Sequence, residues 1–451
     1  MSSTTTRREF LKTGITLAAV PYFVPAHVLG AGGATVPSEK IVLGCIGVGS
    51  MGGGHVRGWL GQEDVQLTAV CDLRQSFRQK AKLAVDRKYG SQDCATYHDF
   101  RELLTRPDID AVCVATPDHW HALIGIEAAK NGKDMYLEKP VDVHVAAAKA
   151  LRAAVNRYGV VFQFGTQQRS SQAFRLACEL ARNSQLGKLH TIVVGSLPGL
   201  TFPNQPIQPE PDPKVFDYDT WLGPAPWAPY TFQRSASRAE GTPGYWMHIH
   251  DYGLGCLSGA WGIHHIDIAQ WANGTDDTGP LEIEGTGVLP EDGLCDTALT
   301  WRVEHMYANG VKMLHIDAKH TIREFPQFEN RTLVHRGCGV LLLGTDGWVL
   351  VSRGGIDASP KSLLQETFSL DDIRLPVSNH HKRNFLECVK NRLQTVSPIE
   401  AAVRSDTICH LDDIAIRTGR KLHWDPAKEQ FLNDEAANRL LSRPMRSPWI
   451  L

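Results

Sequence analysis

A short apolar run, Ile41 to Ile46, ends in the turn Gly47-Val48-Gly49-Ser50-Met51-Gly52. No other stretch of the chain restricts its fold as tightly. In a G-x-G-x-x-G turn between a strand and a helix, the first glycine permits the tight bend. The second lets backbone approach a pyrophosphate facing the helix N-terminus, and the third allows close strand–helix contact. Glycine-rich turns are common, so the pattern draws its weight from Asp72. That acid stands 20 residues beyond Gly52, at the end of the next apolar run, VQLTAVCD. There it would accept hydrogen bonds from the ribose hydroxyls of a dinucleotide. An acid at this place repels a 2′-phosphate and favours NAD. Arg74, two residues on, leaves NADP open, its other reading being a solvated side chain at the head of a helix.

The runs DAVCVATP and DMYLEKP continue the series, with helical patterns between them over residues 75–89 and in WHALIGIEAAKNG. Strands alternating with helices at this spacing predict βαβ units and a parallel sheet. Residues 142–158 read as an alanine-rich helix, and VVFQFG after Gly159 as a further strand. From about residue 188 the character changes to longer alternating runs such as KLHTIVVGS, DTALTWRVEH and GVKMLHIDAK, separated by proline-rich loops. The expected fold class is therefore α/β: a Rossmann domain over 37–160, then a 161–451 α/β domain with a large open, mostly antiparallel sheet. Helices close the chain and are expected to pack back on the first domain. Ser397, Pro398 and Glu400 predict a capping box at the head of the last long one.

The 451 residues carry a net charge of −2 with no basic block, which argues against a nucleic-acid partner. No run is long and apolar enough for an ordinary membrane span. The ten cysteines form no C-x-x-C pair, and Cys45, Cys71 and Cys113 sit inside strand-like runs. They read as buried free thiols, the state of a chain folded inside the cell. Yet residues 1–36 resemble an export signal. Thr6-Arg7-Arg8-Glu9-Phe10-Leu11-Lys12 matches the twin-arginine pattern and precedes an apolar stretch. Such a resemblance implies passage through the twin-arginine export machinery, already folded, to the periplasm or to a tether by an uncleaved signal. A cofactor bound inside could travel with the protein.

GVGSMG, ATPDHWHALIGIEAAKNGKDMYLEKP, WLGPAP and GIHHIDIAQW occur in that order. Together they resemble the Gfo/Idh/MocA oxidoreductases, relatives of glucose–fructose oxidoreductase and inositol dehydrogenase. The resemblance implies NAD(P) along the first domain, a carbohydrate or polyol between the two, and homo-oligomers. It places Gly47, Gly49, Ser50, Met51, Gly52, Asp72, Thr116, Pro117, His121, Glu138 and Lys139 at the cofactor. Lys139 would also reach the reacting hydroxyl, and His264 would remove its proton. Many members carry an aspartate four residues before that histidine, where this chain has Ala260. Asp251 is one acid that could substitute.

By the same resemblance Gln168 and Arg169 would touch polar substrate groups. Trp246, His248, His250 and Tyr252 offer aromatic faces and polar tips suited to a sugar, or else pack the inter-domain core. His265 is a substrate candidate that a helix could equally turn into packing. His264 and Asp267 have a spacing that permits a metal, but a helix can simply bury such groups, and no metal is expected. The leading expectation is a nicotinamide-dependent oxidoreductase with a tightly held cofactor. The alternatives are a redox-neutral glycosidase, which oxidises, eliminates and returns the hydride, and an exported sugar-binding protein without catalysis.

Overall fold

The computed structural model describes residues 39–330, 334 and 337–451; the twin-arginine stretch lies outside them. Six strands form the first sheet: β1 (Ile41–Ile46), β2 (Val65–Cys71), β3 (Ala95–Tyr97), β4 (Ala111–Val114), β5 (Asp134–Leu137) and β6 (Phe162–Phe164). Their order is β3-β2-β1-β4-β5-β6, and every neighbouring pair is parallel. The order reverses between β1 and β4, and a crevice opens at the carboxyl ends of strands at such a switch point. β1, β4 and β5 are almost wholly buried, which is why they read as continuous apolar runs rather than alternating ones.

The second sheet has nine strands: β7 (Leu189–Ser196), β8 (Glu282–Val288), β9 (Thr300–Met306), β10 (Lys312–Asp317), β11 (Gly339–Gly344), β12 (Trp348–Ser352), β13 (Gly355–Ser359), β14 (Leu422–Asp425) and β15 (Gln430–Phe431). Their order is β13-β12-β11-β7-β10-β9-β8-β14-β15, antiparallel except for the parallel pair β7–β10. Residues 197–217 form no regular element, as their prolines dictate.

The Ile263–Asn273 helix is buried along nearly its whole length and joins the two halves. Ile266 on it, Leu151 on the Val145–Tyr158 helix and Ile408 on the Ile399–Thr418 helix belong to one apolar core. Phe385, Leu386 and Val389 of the His381–Asn391 helix pack against the first sheet with Trp59 and Leu43. The capping box at Ser397 does not form. Pro398 is the N-cap, with no side-chain bond to the helix. Ser397 Oγ lies 2.6 Å from Thr166 Oγ1, and Glu400 pairs with Arg152 at 3.0 Å and Arg404 at 2.7 Å. Thr166 and Arg152, distant in sequence, and Arg404 one turn on take up the side chains that the capping box would use. All ten cysteines are buried, and none is in a disulfide.

Candidate functional site

The glycine turn is shaped by close approach. Gly47 has φ +77°, and a Cβ on it would lie 2.5 Å from the Ala115 carbonyl oxygen; one on Gly52 would lie 1.8 Å from that of Gly47. The helix that follows, Ser50–Leu60, has no acid in its first turn and no side-chain cap. Its leading amides are thus available to an anion. Asp72 accepts from Val48 N–H at 2.8 Å on one oxygen and from Arg74 N–H at 2.9 Å on the other. Each oxygen keeps a second acceptor direction for a ribose hydroxyl.

These groups open on a cleft of ≈ 1350 Å³ between the two sheets' domains, also lined by Thr116, Pro117, Asp118, His121, Glu138, Lys139, Trp246, His248 and His264. Lys139 Nζ donates to Gly259 O at 2.7 Å, and the Lys139–Pro140 peptide is cis. Beside it, His55 donates to Glu138 Oε1 at 2.8 Å. Burial alone would push the Glu138 carboxyl up, but His55 and Lys139 outweigh it and hold it down at about 2. His121 ties the frame together: Nδ1 lies 2.6 Å from Pro140 O and Nε2 3.0 Å from Thr116 O. His264 is buried, and burial, then the charges of Lys139 and Arg353, hold it well below its ordinary 6.5. Its imidazole is neutral. His248 is likewise pushed down by burial, to about 4.

One feature recurs around this cleft. Thr116 Oγ1, Asp118 Oδ2, His248 Nδ1, Trp261 Nε1 and His264 Nδ1 are all buried without a hydrogen-bond partner, and all five residues line it. Buried polar atoms left unpaired in this number call for a ligand.

A model of the oxidoreductase family's NAD-binding Rossmann fold matches residues 41–166, and one of its C-terminal alpha/beta domain matches 196–329 and 364–451. The chain belongs to the Gfo/Idh/MocA family of oxidoreductases. Among its relatives is the uncharacterized oxidoreductase YrbE of Bacillus subtilis, 28% identical over 181 residues, 40% of this chain and 48% of that one. Another is an alpha-N-acetylgalactosaminidase of Shewanella oneidensis, 37% identical over 117 residues, 25% of this chain and 26% of that one. The chain thus spans at most about half the length of these curated relatives. The WlbA dehydrogenase of Bordetella pertussis, solved with NADH and UDP-GlcNAcA, superposes with a TM-score of 0.60 at 17% identity, covering 86% of this chain and 99% of that one. Scyllo-inositol dehydrogenase of Lactobacillus casei, solved with NAD(H) and scyllo-inositol, gives 0.55 at 16%, covering 85% and 99%. These two likenesses speak for the fold.

As a family member the protein has an NAD-binding Rossmann domain, and the uncapped amides, the glycine cradle and Asp72 fit that nucleotide. Ser50 and Met51 also line the cleft, Met51 half exposed at its mouth. Several substrate candidates lie elsewhere. Arg169 is buried and wholly engaged, holding Asp267 at 2.7 and 2.8 Å and Asp276 at 2.8 Å through two nitrogens. That engagement also takes Asp267 away from any metal with His264. Gln168 is buried off the cleft, which its neighbours Gln167 and Ser170 line instead. His265 turns its Nδ1 to Gly195 O at 3.0 Å. Tyr252 is fully buried against Trp221, ring centroids 5.0 Å apart. His250 borders a separate cavity of ≈ 370 Å³, paired with Asp413 at 3.0 Å.

Arg74 is neither solvated nor free for a phosphate. Its guanidinium lies 3.5 Å from the Phe216 ring centroid, pairs with Glu240 at 3.1 Å and donates to Ser235 O at 3.1 Å. Nearby, Ala239 N–H donates to Ser50 Oγ at 2.7 Å. The 231–248 segment of the second domain is thereby strapped to the glycine turn. Sequence reasoning missed Arg353, which lies over Trp261 at 4.7 Å, and Asp118, although the latter stands inside the quoted ATPDHWH motif.

Proposed function

We propose that the protein is a nicotinamide-dependent oxidoreductase acting on a carbohydrate or polyol hydroxyl in this cleft. The observation that carries the reading is the set of unpartnered buried polar atoms on residues lining the same cleft as Lys139 and His264. The turn at Gly47, Gly49 and Gly52 and Asp72 would hold the nicotinamide nucleotide, which when bound would supply a hydride acceptor. The chain's own groups do the rest. Lys139, fixed by the Gly259 carbonyl, binds the reacting hydroxyl oxygen. His264, kept neutral, takes its proton. Trp246 offers an aromatic face to sugar C–H surfaces, and His248 a polar tip. A relative that is an alpha-N-acetylgalactosaminidase and a fold neighbour holding UDP-GlcNAcA support a sugar as the substrate class. Mixing purified protein with candidate sugars and polyols should change absorbance at the reduced-nicotinamide band. A protein that binds them with no spectral change is a sugar binder, and the reading falls.

We also infer that the protein works outside the cytoplasm. The Thr6–Lys12 stretch supports export through the twin-arginine route, and ten buried cysteines outside any disulfide suit folding in a reducing compartment beforehand. A nucleotide under the strap at Ser50 and Arg74 would then leave the cytoplasm with the folded chain.

A further inference from the structure

Asp118 is an ionisable group in the cleft that hydroxyl oxidation leaves without a task. It follows Pro117 at the end of β4, is 4% exposed, and its Oδ2 has no hydrogen-bond partner. The second domain makes room for it. A Cβ on Gly253 would lie 3.1 Å from Oδ2 and one on Gly259 2.4 Å from it. Gly259 is the residue whose carbonyl receives Lys139 Nζ, and its Cβ would also meet Pro140 Cδ at 2.7 Å. Ala260, next in sequence and four residues before His264, brings no carboxyl to the same wall. Asp118, Lys139 and His264 thus share one corner of the cleft.

Burial pushes the Asp118 carboxyl well above its ordinary 3.8; the charge of Lys139 opposes this, while Asp406, Asp142 and Glu138 add to it. His264 is displaced in the opposite sense. A buried carboxyl shifted toward its protonated form and an imidazole shifted toward its neutral form, in one site, suit an acid and a base. Oxidising a hydroxyl releases one proton and needs one acceptor, which His264 provides. A retained acid is needed where a C–O bond breaks and the departing oxygen must be protonated.

We propose that Asp118 is the general acid of an elimination, protonating the glycosidic oxygen of a keto-sugar while His264 removes the proton beside the ketone. Once His264 has passed the hydroxyl proton of the oxidation to solvent, the C2–H electron pair of the 3-keto-glycoside becomes the C1=C2 bond as its proton passes to His264. The C1–O bond breaks with its electron pair to the leaving oxygen, which takes the Asp118 proton. The products are an unsaturated keto-sugar and a free alcohol, with no net oxidation. Addition of water across the double bond reverses both proton transfers and resets the pair. The inference rests on the carbohydrate reading above, since that oxidation is what makes the neighbouring C–H acidic.

The test uses the full-length protein and its Asp118→Asn variant, which keeps the side-chain shape, with methyl and 4-nitrophenyl 3-keto-glucosides as probes. Methanol is a poor leaving group and needs an acid; nitrophenolate leaves largely unaided. The variant should lose roughly 10²–10⁴-fold in methanol release and less than about tenfold in nitrophenol release. Infrared spectra at pH 7 should show a protonated-carboxyl band in the parent that the variant lacks. Equal losses on both probes, or an unchanged band, overturn the assignment while leaving the oxidoreductase reading intact. A parent protein that neither responds spectrally to sugars nor releases either alcohol overturns both.

Discussion

Lys139 and Arg169 are both long cationic side chains with oxygen partners, yet they do different work. Lys139 makes one hydrogen bond, to a backbone carbonyl at the cleft wall, and has donors to spare. Lys139→Ala should lower turnover of a responding sugar by roughly 10²–10⁴-fold and leave the nucleotide in place. A variant with full turnover would mean the reacting hydroxyl lies elsewhere. Arg169 spends its guanidinium on Asp267 and Asp276 and packs 5.1 Å from the Trp271 ring. Removing it strands Asp267, which is completely buried. Arg169→Ala should therefore cost about 3–5 kcal/mol, read as an earlier urea midpoint. A raised KM at an unchanged midpoint would instead make it a substrate contact. The residue type at 169 was legible in the sequence, but its two partners, 98 and 107 positions away, were not.

At the scale of elements, the first sheet could be read almost strand by strand because its buried strands are unbroken apolar runs bounded by turns. The second sheet was legible where side chains alternate, as in β9, but the β7–β10 parallel pair joins strands more than a hundred residues apart and leaves no local pattern. Loops were the least legible part. In GYWMHIHDY the 3₁₀ turn Tyr245–His248 keeps Trp246 and His248 at the cleft, and the chain then carries His250 and Tyr252 away from it. Composition gives no hint of that change of direction. The strap is the element with the clearest consequence. If Arg74, through Glu240 and Ser235, holds the 231–248 segment against the glycine turn, Arg74→Ala should release bound nucleotide at least about tenfold faster, a loss of only ~1.4 kcal/mol in the barrier. Release measured by fluorescence in a competing trap would report it; an unchanged rate would show that the strap holds nothing.

For the whole molecule, the cleft exists because two domains share one core through the Ile263–Asn273 helix, so neither half carries the candidate site alone. The proposed export would add a demand: outside the cytoplasm a nucleotide that exchanged freely would be lost. Replacing Arg7 and Arg8 with lysine should keep the full chain in the cytoplasmic fraction, and unchanged export would argue for another route. No described helix is long and apolar enough to cross a membrane. The most direct measurement is made on the purified protein, washed free of small molecules, denatured, and assayed for released nucleotide. The account predicts close to one nicotinamide nucleotide per chain. A folded, washed protein that yields none would contradict it.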